Sequence, residues 1–434
     1  MFMKRKLLLL TAPLLFATNG IWAQSFEIDH IKYNITDPTA KTVEVADYTN
    51  EQPSDVTVPT TVNHEGIQYA VTAIGDKAFD ITFITKITIP EGVISIGEDA
   101  FNMNYMLSEV ILPKSTTTIK DRAFADCMSL TTITLPDNLA FIGKNVFKAC
   151  PALESIHIAK SNPAFLIENG VLFDKGKSKL IQYPAGKEGS SFHIPDGVTT
   201  IGGGAFSECS RLSQIILPSS VTTIEESAFE NCGISQIFIS EHVSAIKEDA
   251  FTLARSLTSI DVDINNPNYC SEDGVLFNKD KTKLLQFPSK KQAISYTVPE
   301  GVTSIGYGAF AANSLSQILL PNSLTAIGKM AFFNCLSLKN ITIPQGVTSI
   351  DKFAFYGCEA LRNVNIPQGI TVIRHYTFAD CKSLSRIDVY PLIPPTIEPR
   401  AFDGVSPKLT VKVPKESLEA YKNAPEWKNF KKLK

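Results

Sequence analysis

The side chains of this 434-residue chain best suited to ligating a metal or attacking a substrate are its eight cysteines and six histidines. Seven of the cysteines, Cys127, Cys150, Cys209, Cys232, Cys335, Cys358 and Cys381, each stand three residues after a Phe. This spacing lacks the short paired motifs of zinc sites. Where the equivalent position is not Cys it is Thr82, Asn104, Ala254, Asn313 or Val405. A position that accepts Cys, Thr, Asn and Ala reads as a slot for a small side chain. Disulfides between neighbouring repeats come into question in an exported chain, but a ladder of buried free thiols fits this substitution pattern better.

The histidines, His30, His64, His157, His193, His242 and His375, are scattered, and none lies in an HExxH or a recognisable nucleophile frame. His157 and His193 occupy equivalent outward positions on either side of an insertion. They could be near neighbours and ligate a metal, but an exposed polar row explains them as well. Gly202-Gly203-Gly204 reads as a variant turn, not a phosphate loop. Forty-four carboxylates make some close pairs by chance, so no glycosidase dyad is proposed. These residues call for no catalytic site, metal or cofactor, and the chain reads as a non-enzyme.

What positions these side chains is a repeat. Aligned on the Phe of a recurring Ala-Phe, the chain gives Phe79, Phe101, Phe124, Phe147, Phe206, Phe229, Phe251, Phe310, Phe332, Phe355, Phe378 and Phe402, at gaps of 22–24 residues except for two of 59. A period this regular marks a stacked solenoid whose units bury one another's faces. Within one unit, Ile341-Thr342-Ile343 alternates as a short strand that Pro344 ends, and Val347, Ile350, Phe355, Cys358 and Leu361 turn inward. Stacking such strands places them parallel in one sheet.

Each gap of 59 equals one ordinary unit plus one of 36 residues. Residues 162–184 and 266–288 match at an offset of 104, and in both, Val-Leu-Phe and Lys-Leu-(Ile/Leu)-Gln-(Tyr/Phe)-Pro flank a polar turn. Each reads as an inserted β-hairpin, in units near 156–192 and 260–296.

The pattern (Ile/Leu)-x-(Ile/Leu)-Pro-x-x-Val-x-x-Ile-Gly-x-x-Ala-Phe-x-x-Cys-x-x-Leu resembles the BspA-like leucine-rich repeats of bacterial surface proteins over residues 56–410. The resemblance implies a leucine-rich-repeat right-handed superhelix with a parallel β-sheet of short strands and two inserted β-hairpins. It also implies a surface or secreted protein of host-associated bacteria that binds host matrix proteins or other cells. Residues 24–71 hold strand-like runs and read as an N-terminal β cap, followed by the solenoid over 72–410. In 411–434, Leu418, Tyr421, Trp427 and Phe430 read as a C-terminal cap over the last coil.

Residues 1–23 carry Lys4, Arg5 and Lys6, then an apolar run from Leu7 to Phe16 too short to span a bilayer, and Ala23 at a plausible cleavage point. They read as a secretory signal peptide, after which no membrane insertion is expected. No cysteine precedes Cys127, so lipoprotein processing is not expected either. The expected location is exported: cell surface, secreted or periplasmic. A net charge of −3 gives no reason to propose nucleic acid as partner.

The outward strand positions define the candidate binding face: Ile111, His157, His193, Ile216, Phe238, Asp261, Leu319, Asn365 and Asp388, with Gln214, Gln236 and Arg386 in the preceding row. Ile216 and Phe238 fall on adjacent coils rimmed by Gln214 and Gln236, the composition of a contact patch. The lysine-rich hairpin tips at 174–178 and 278–282 are further candidates. A protein partner is the first expectation. A glycan is the alternative, weakened because the chain has only Trp22 and Trp427.

Overall fold

The computed structural model describes residues 25–49 and 54–434, so the expected signal peptide lies outside the described residues. Among the described residues the chain is a solenoid of parallel strands with one short α-helix, Leu418–Asn423. The repeat phenylalanines form a stacked file along its axis. Phe79 and Phe101 lie 5.1 Å apart, Phe332 and Phe355 4.9 Å, and Phe355 and Phe378 5.3 Å, all with nearly parallel rings. Each of these rings is fully buried, worth about 1.5–3 kcal/mol apiece in water exclusion.

Each coil bonds to the next along more than the one sheet expected. The outer strand, such as Thr132–Thr134 paired with Ser155–His157, forms the expected face. Two-residue strands after the inward Val form a second parallel ladder, as in Ser95–Ile96, Thr118–Ile119 and Phe141–Ile142. On a third side the backbone turns about the Phe, and the Phe79 and Phe101 N–H groups donate to Ala100 and Ala123. That turn uses left-handed backbone two residues before and two after the Phe, as at Lys77 and Ile81, Asp99 and Met103, and Arg122 and Asp126. Most of these residues are not glycine, which left the motif hidden in the sequence.

The expected strand Ile341–Ile343 is a correction. On the outward face only isolated bridges at Asn340 join this coil to its neighbours, while its second ladder, Ser349–Ile350 against Ala326–Ile327, is intact. The Asn365 side chain substitutes for the missing ladder, accepting from the Ile343 N–H and donating to the Ile343 carbonyl, each at 2.7 Å.

The inserted hairpins are three-stranded meanders, Phe165–Glu168, Val171–Asp174 and Lys179–Gln182, and Tyr269–Glu272, Val275–Asn278 and Lys283–Gln286. Their last strands join the second ladder, Leu180 opposite Ile201 and Leu284 opposite Ile305. Their middle strands are buried on both faces, which explains the unbroken Val-Leu-Phe run. Val171 and Phe173 face the middle section of the core while Leu172 faces the first; Leu276 faces the middle while Val275 and Phe277 face the last. The hairpins therefore partition the core.

At the C-terminus Tyr421 and Trp427 are buried and donate to the carbonyls of Pro391 and Pro395 at 2.7 and 2.6 Å. Leu418 and Phe430 pack beside them. At the N-terminus the run FEIDHIKYNIT is a hairpin, Ser25–Ile28 against Ile31–Asp37, turned at Asp29-His30, both with positive φ.

Candidate functional site

The outward face is not one continuous sheet. Its strands form five ladders, the last two linked by single bridges at Asn340, and both meanders fall at divisions, between Ser155–His157 and Ser191–His193 and between Ser259–Val262 and Ser295–Thr297. At the second division the Ile260 N–H donates to the Gly274 carbonyl in the meander at 2.9 Å, where a further parallel strand would otherwise pair.

One of the two four-stranded pieces joins Ser191–His193, Gln214–Ile216, Gln236–Ile239 and Ser259–Val262. Its register aligns His193 with Ile216, Gln214 with Gln236, and Phe238 with Asp261. The structure thus brings His193, Gln214, Ile216, Gln236, Phe238 and Asp261 together. Phe238 is 55% exposed and Ile216 41%, so the following meander does not cover them. The Ser259 hydroxyl donates to Asp261 at 2.9 Å.

The remaining candidates lie elsewhere. Ile111 is exposed in the sheet formed by Ser54–Thr57, Ile84–Thr88 and Glu109–Ile111, and Leu319 is exposed beside Thr297. His157 and His193 belong to different sheets. His157 contacts Ser155 through Nε2 at 3.2 Å. Asn365 is buried by its clasp on Ile343 and is not available on the face. Arg386 makes a forked ion pair with Asp388 at 2.8–3.1 Å.

This Arg386–Asp388 pair lies in a groove of about 770 Å³ at the C-terminal end of the face, with Tyr390, Gln345, Gln368 and Lys412. Tyr390 is the one aromatic ring on its wall and is 47% exposed.

The lysines of the hairpin tips are held by neighbouring groups. Lys281 pairs with Glu272 and Lys283 with Glu248, each at 2.7 Å. Lys177 pairs with Glu168, Lys179 holds Glu225 at 2.8 Å, and Lys175 and Lys279 donate to backbone carbonyls.

The thiols occupy the slot expected of them. All eight cysteines are free and seven are buried. Cys127, Cys150, Cys335, Cys358 and Cys381 each donate to the carbonyl of the Phe one coil earlier, at 3.1–3.3 Å. Asn104 does the same to Phe79 at 2.6 Å. Burial pushes the thiols of Cys127, Cys209, Cys358 and Cys381 well above the ordinary range, so they remain protonated. Among the described residues no group of three His, Cys, Asp or Glu side chains could hold a metal ion.

Sequence reasoning missed one surface feature. Ile81, Phe83, Met103, Tyr105, Met106 and Met128 are all exposed on three successive coils. The signal was the fourth position after the repeat Phe, which is Phe83, Tyr105 and Met128 here but Ser210, Gly233 and Arg255 in the middle coils.

Three comparisons bear on this architecture. The family described as the BspA type leucine rich repeat region (6 copies) matches residues 72–186, 185–298 and 286–410. No curated protein matches the chain. Similar solved structures include a leucine rich cell surface protein from Faecalibacterium prausnitzii, 26% identical, covering 84% of this chain and 94% of that one, TM-score 0.44. A leucine-rich repeat protein from Eubacterium ventriosum is 22% identical over 89% and 82% of the two chains, TM-score 0.44. The pneumococcal vaccine antigen PcpA is 20% identical over 92% and 95%, TM-score 0.39. Among the described residues no helix is long and apolar enough to cross a membrane. With its Phe file, its thiol slot and a family match running from residue 72 to residue 410, the chain belongs to the BspA type leucine rich repeat family.

Proposed function

We propose that this chain is an exported, non-enzymatic scaffold that binds protein partners through its outward strand face, in the manner of an adhesin. The observation that carries the reading is the exposed pair Ile216 and Phe238, flanked by His193, Gln214, Gln236 and Asp261 on one rigid sheet. An aromatic and an aliphatic side chain rimmed by polar groups is the composition of an interface centre. A backbone fixed coil to coil loses little entropy when it docks, so many weak contacts can add. Extracellular-matrix and host-cell proteins enter as partners through the family resemblance.

A second reading, capture of a glycan, is favoured by the groove at Tyr390. A half-exposed ring among amides, a guanidinium and a carboxylate offers one face for a sugar ring and several partners for its hydroxyls. A screen of the chain from Gln24 onward against immobilised matrix proteins and a glycan panel separates the two. A protein hit supports the strand-face reading. A hit confined to glycans and lost in Tyr390→Ala overturns it in favour of the groove.

A further inference from the structure

Within the solenoid, several charged side chains find partners one coil along. Lys86 pairs with Glu109 at 2.8 Å, Arg122 with Asp99 at 2.8 Å and Lys382 with Glu359 at 2.6 Å. Among the described residues the two ends make none of these coil-to-coil pairs, and they differ from each other in sign. Residues 24–71 carry eight carboxylates against two lysines, and residues 411–434 carry seven lysines against three glutamates. At the first end Glu27, Asp29, Asp37, Asp47, Asp55 and Glu65 are exposed, and among the described residues none makes an ion pair. At the other end Lys412, Lys415, Lys428, Lys431, Lys432 and Lys434 are exposed and equally unpaired; Lys422 alone is held, by Glu419 at 2.7 Å.

Several of these charges sit on terminal strands. Glu27 is on Ser25–Ile28 and Asp55 on Ser54–Thr57, each the first strand of its sheet. Lys432 is on Lys432–Leu433, the last strand of its sheet, with Lys431 and Lys434 either side. Among the described residues each of these strands pairs on one edge only, leaving backbone donors and acceptors on the other.

We infer that the partner fitted by each end is the opposite end of a second copy of this chain, giving head-to-tail assembly. Lysines on an edge strand ordinarily block pairing of like edges. Here that repulsion excludes contact between two basic ends or between two acidic ends. Only the basic end against the acidic end brings opposite charges and open edges together, continuing the coil-to-coil pairing across a molecular junction. Such a heterologous contact propagates into an open file or closes into a ring, and it aligns the strand faces of successive copies.

Sedimentation of the chain from Gln24 onward tests this. At ~0.01 M salt, where the Debye length is ~30 Å, the average mass should climb with protein concentration; at ~1 M salt, where it is ~3 Å, the protein should be monomeric. Reversing the basic end (Lys428→Glu, Lys431→Glu, Lys432→Glu) or the acidic end (Glu27→Lys, Asp29→Lys, Asp55→Lys) should each weaken self-association about tenfold or more. Mixing the two reversed variants should restore assembly, since each then presents the sign the other lacks. These surface positions carry no core packing, so both variants should keep the wild-type circular dichroism spectrum. A wild type monomeric at low salt, or association that neither reversal weakens, overturns the inference.

Discussion

The thiol of Cys358 donates to the carbonyl oxygen of Phe332, 26 residues earlier and 3.1 Å away. The same bond recurs from Cys335 to Phe310 and from Cys381 to Phe355. The cysteine is thus a small buried donor that satisfies a carbonyl beside the Phe file. The Phe332 carbonyl also accepts from the Cys335 N–H at 3.3 Å, so the thiol supplies its second bond, a net contribution of about 0.5–1.5 kcal/mol, and Thr and Asn can fill the position for the same reason as Cys.

The thiols should therefore be unreactive in the folded protein. Cys270 is half-buried and the other seven are buried, so a small maleimide should label Cys270 alone before denaturation and all eight after it. Mass spectrometry of the labelled chain reads the outcome. Three or more labels on the native protein, or a disulfide in the non-reduced digest, would contradict the ladder.

The meanders leave a close contact between the coils that flank them. A Cβ added at Gly308 would lie 2.8 Å from the Thr252 hydroxyl, and Gly308 has φ +57. Gly301, in the same coil, has φ +93 but open space around it. Gly301→Ala should cost only the left-handed strain, about 1–2 kcal/mol, while Gly308→Ala adds about 1–3 kcal/mol of overpacking. Adding Thr252→Ala should recover part of the second cost. Urea midpoints of the three variants measure this, and equal midpoints for Gly301→Ala and Gly308→Ala would refute the contact.

Acidity should affect the junction at the first meander. Asp126 and Glu208 are half-buried, and desolvation raises both above the ordinary carboxylate range, with Glu230 adding to each. Lys148 opposes the shift at Asp126, and the Asn231 amide, 2.8 Å from Glu208, opposes it there. A raised carboxyl binds its proton more tightly when folded. Its contribution to stability is therefore present below the unfolded pKa and is lost as pH rises through the folded one. Asp126→Asn with Glu208→Gln should stabilise the protein at pH 7, and the gain over wild type should shrink as pH falls toward the ordinary carboxylate range. A gain that grows on acidification would show the sign to be wrong.

The sequence made the core legible and the surface only in part. The Phe file, thiol slot and terminal aromatics could be read because buried positions recur with the period. Ile119 and its equivalents gave no sign of a second ladder, because a two-residue strand has no alternation to detect. The left-handed turns stayed hidden because Lys77, Ile81 and Asp99 occupy positions usually marked by glycine. Asn365 carries the same polar signal whether it faces solvent or clasps Ile343, and only the structure separates the two. The meanders read as two-stranded inserted hairpins because only Val-Leu-Phe and Lys-Leu-(Ile/Leu)-Gln flanked a visible polar turn. Their Val-Leu-Phe runs, buried on both faces, already pointed to an internal strand.

Phe238 and Ile216 give the strand-face reading its most direct test. Against whichever protein the matrix screen identifies, the affinities of wild type and the Phe238→Ala, Ile216→Ser double variant should be compared by biolayer interferometry. Both side chains are exposed, so the double variant should keep the wild-type melting temperature. Binding should weaken at least tenfold, the loss expected when an interface centre worth about 1.4 kcal/mol or more is removed. Undiminished binding by the folded double variant would contradict recognition through this face.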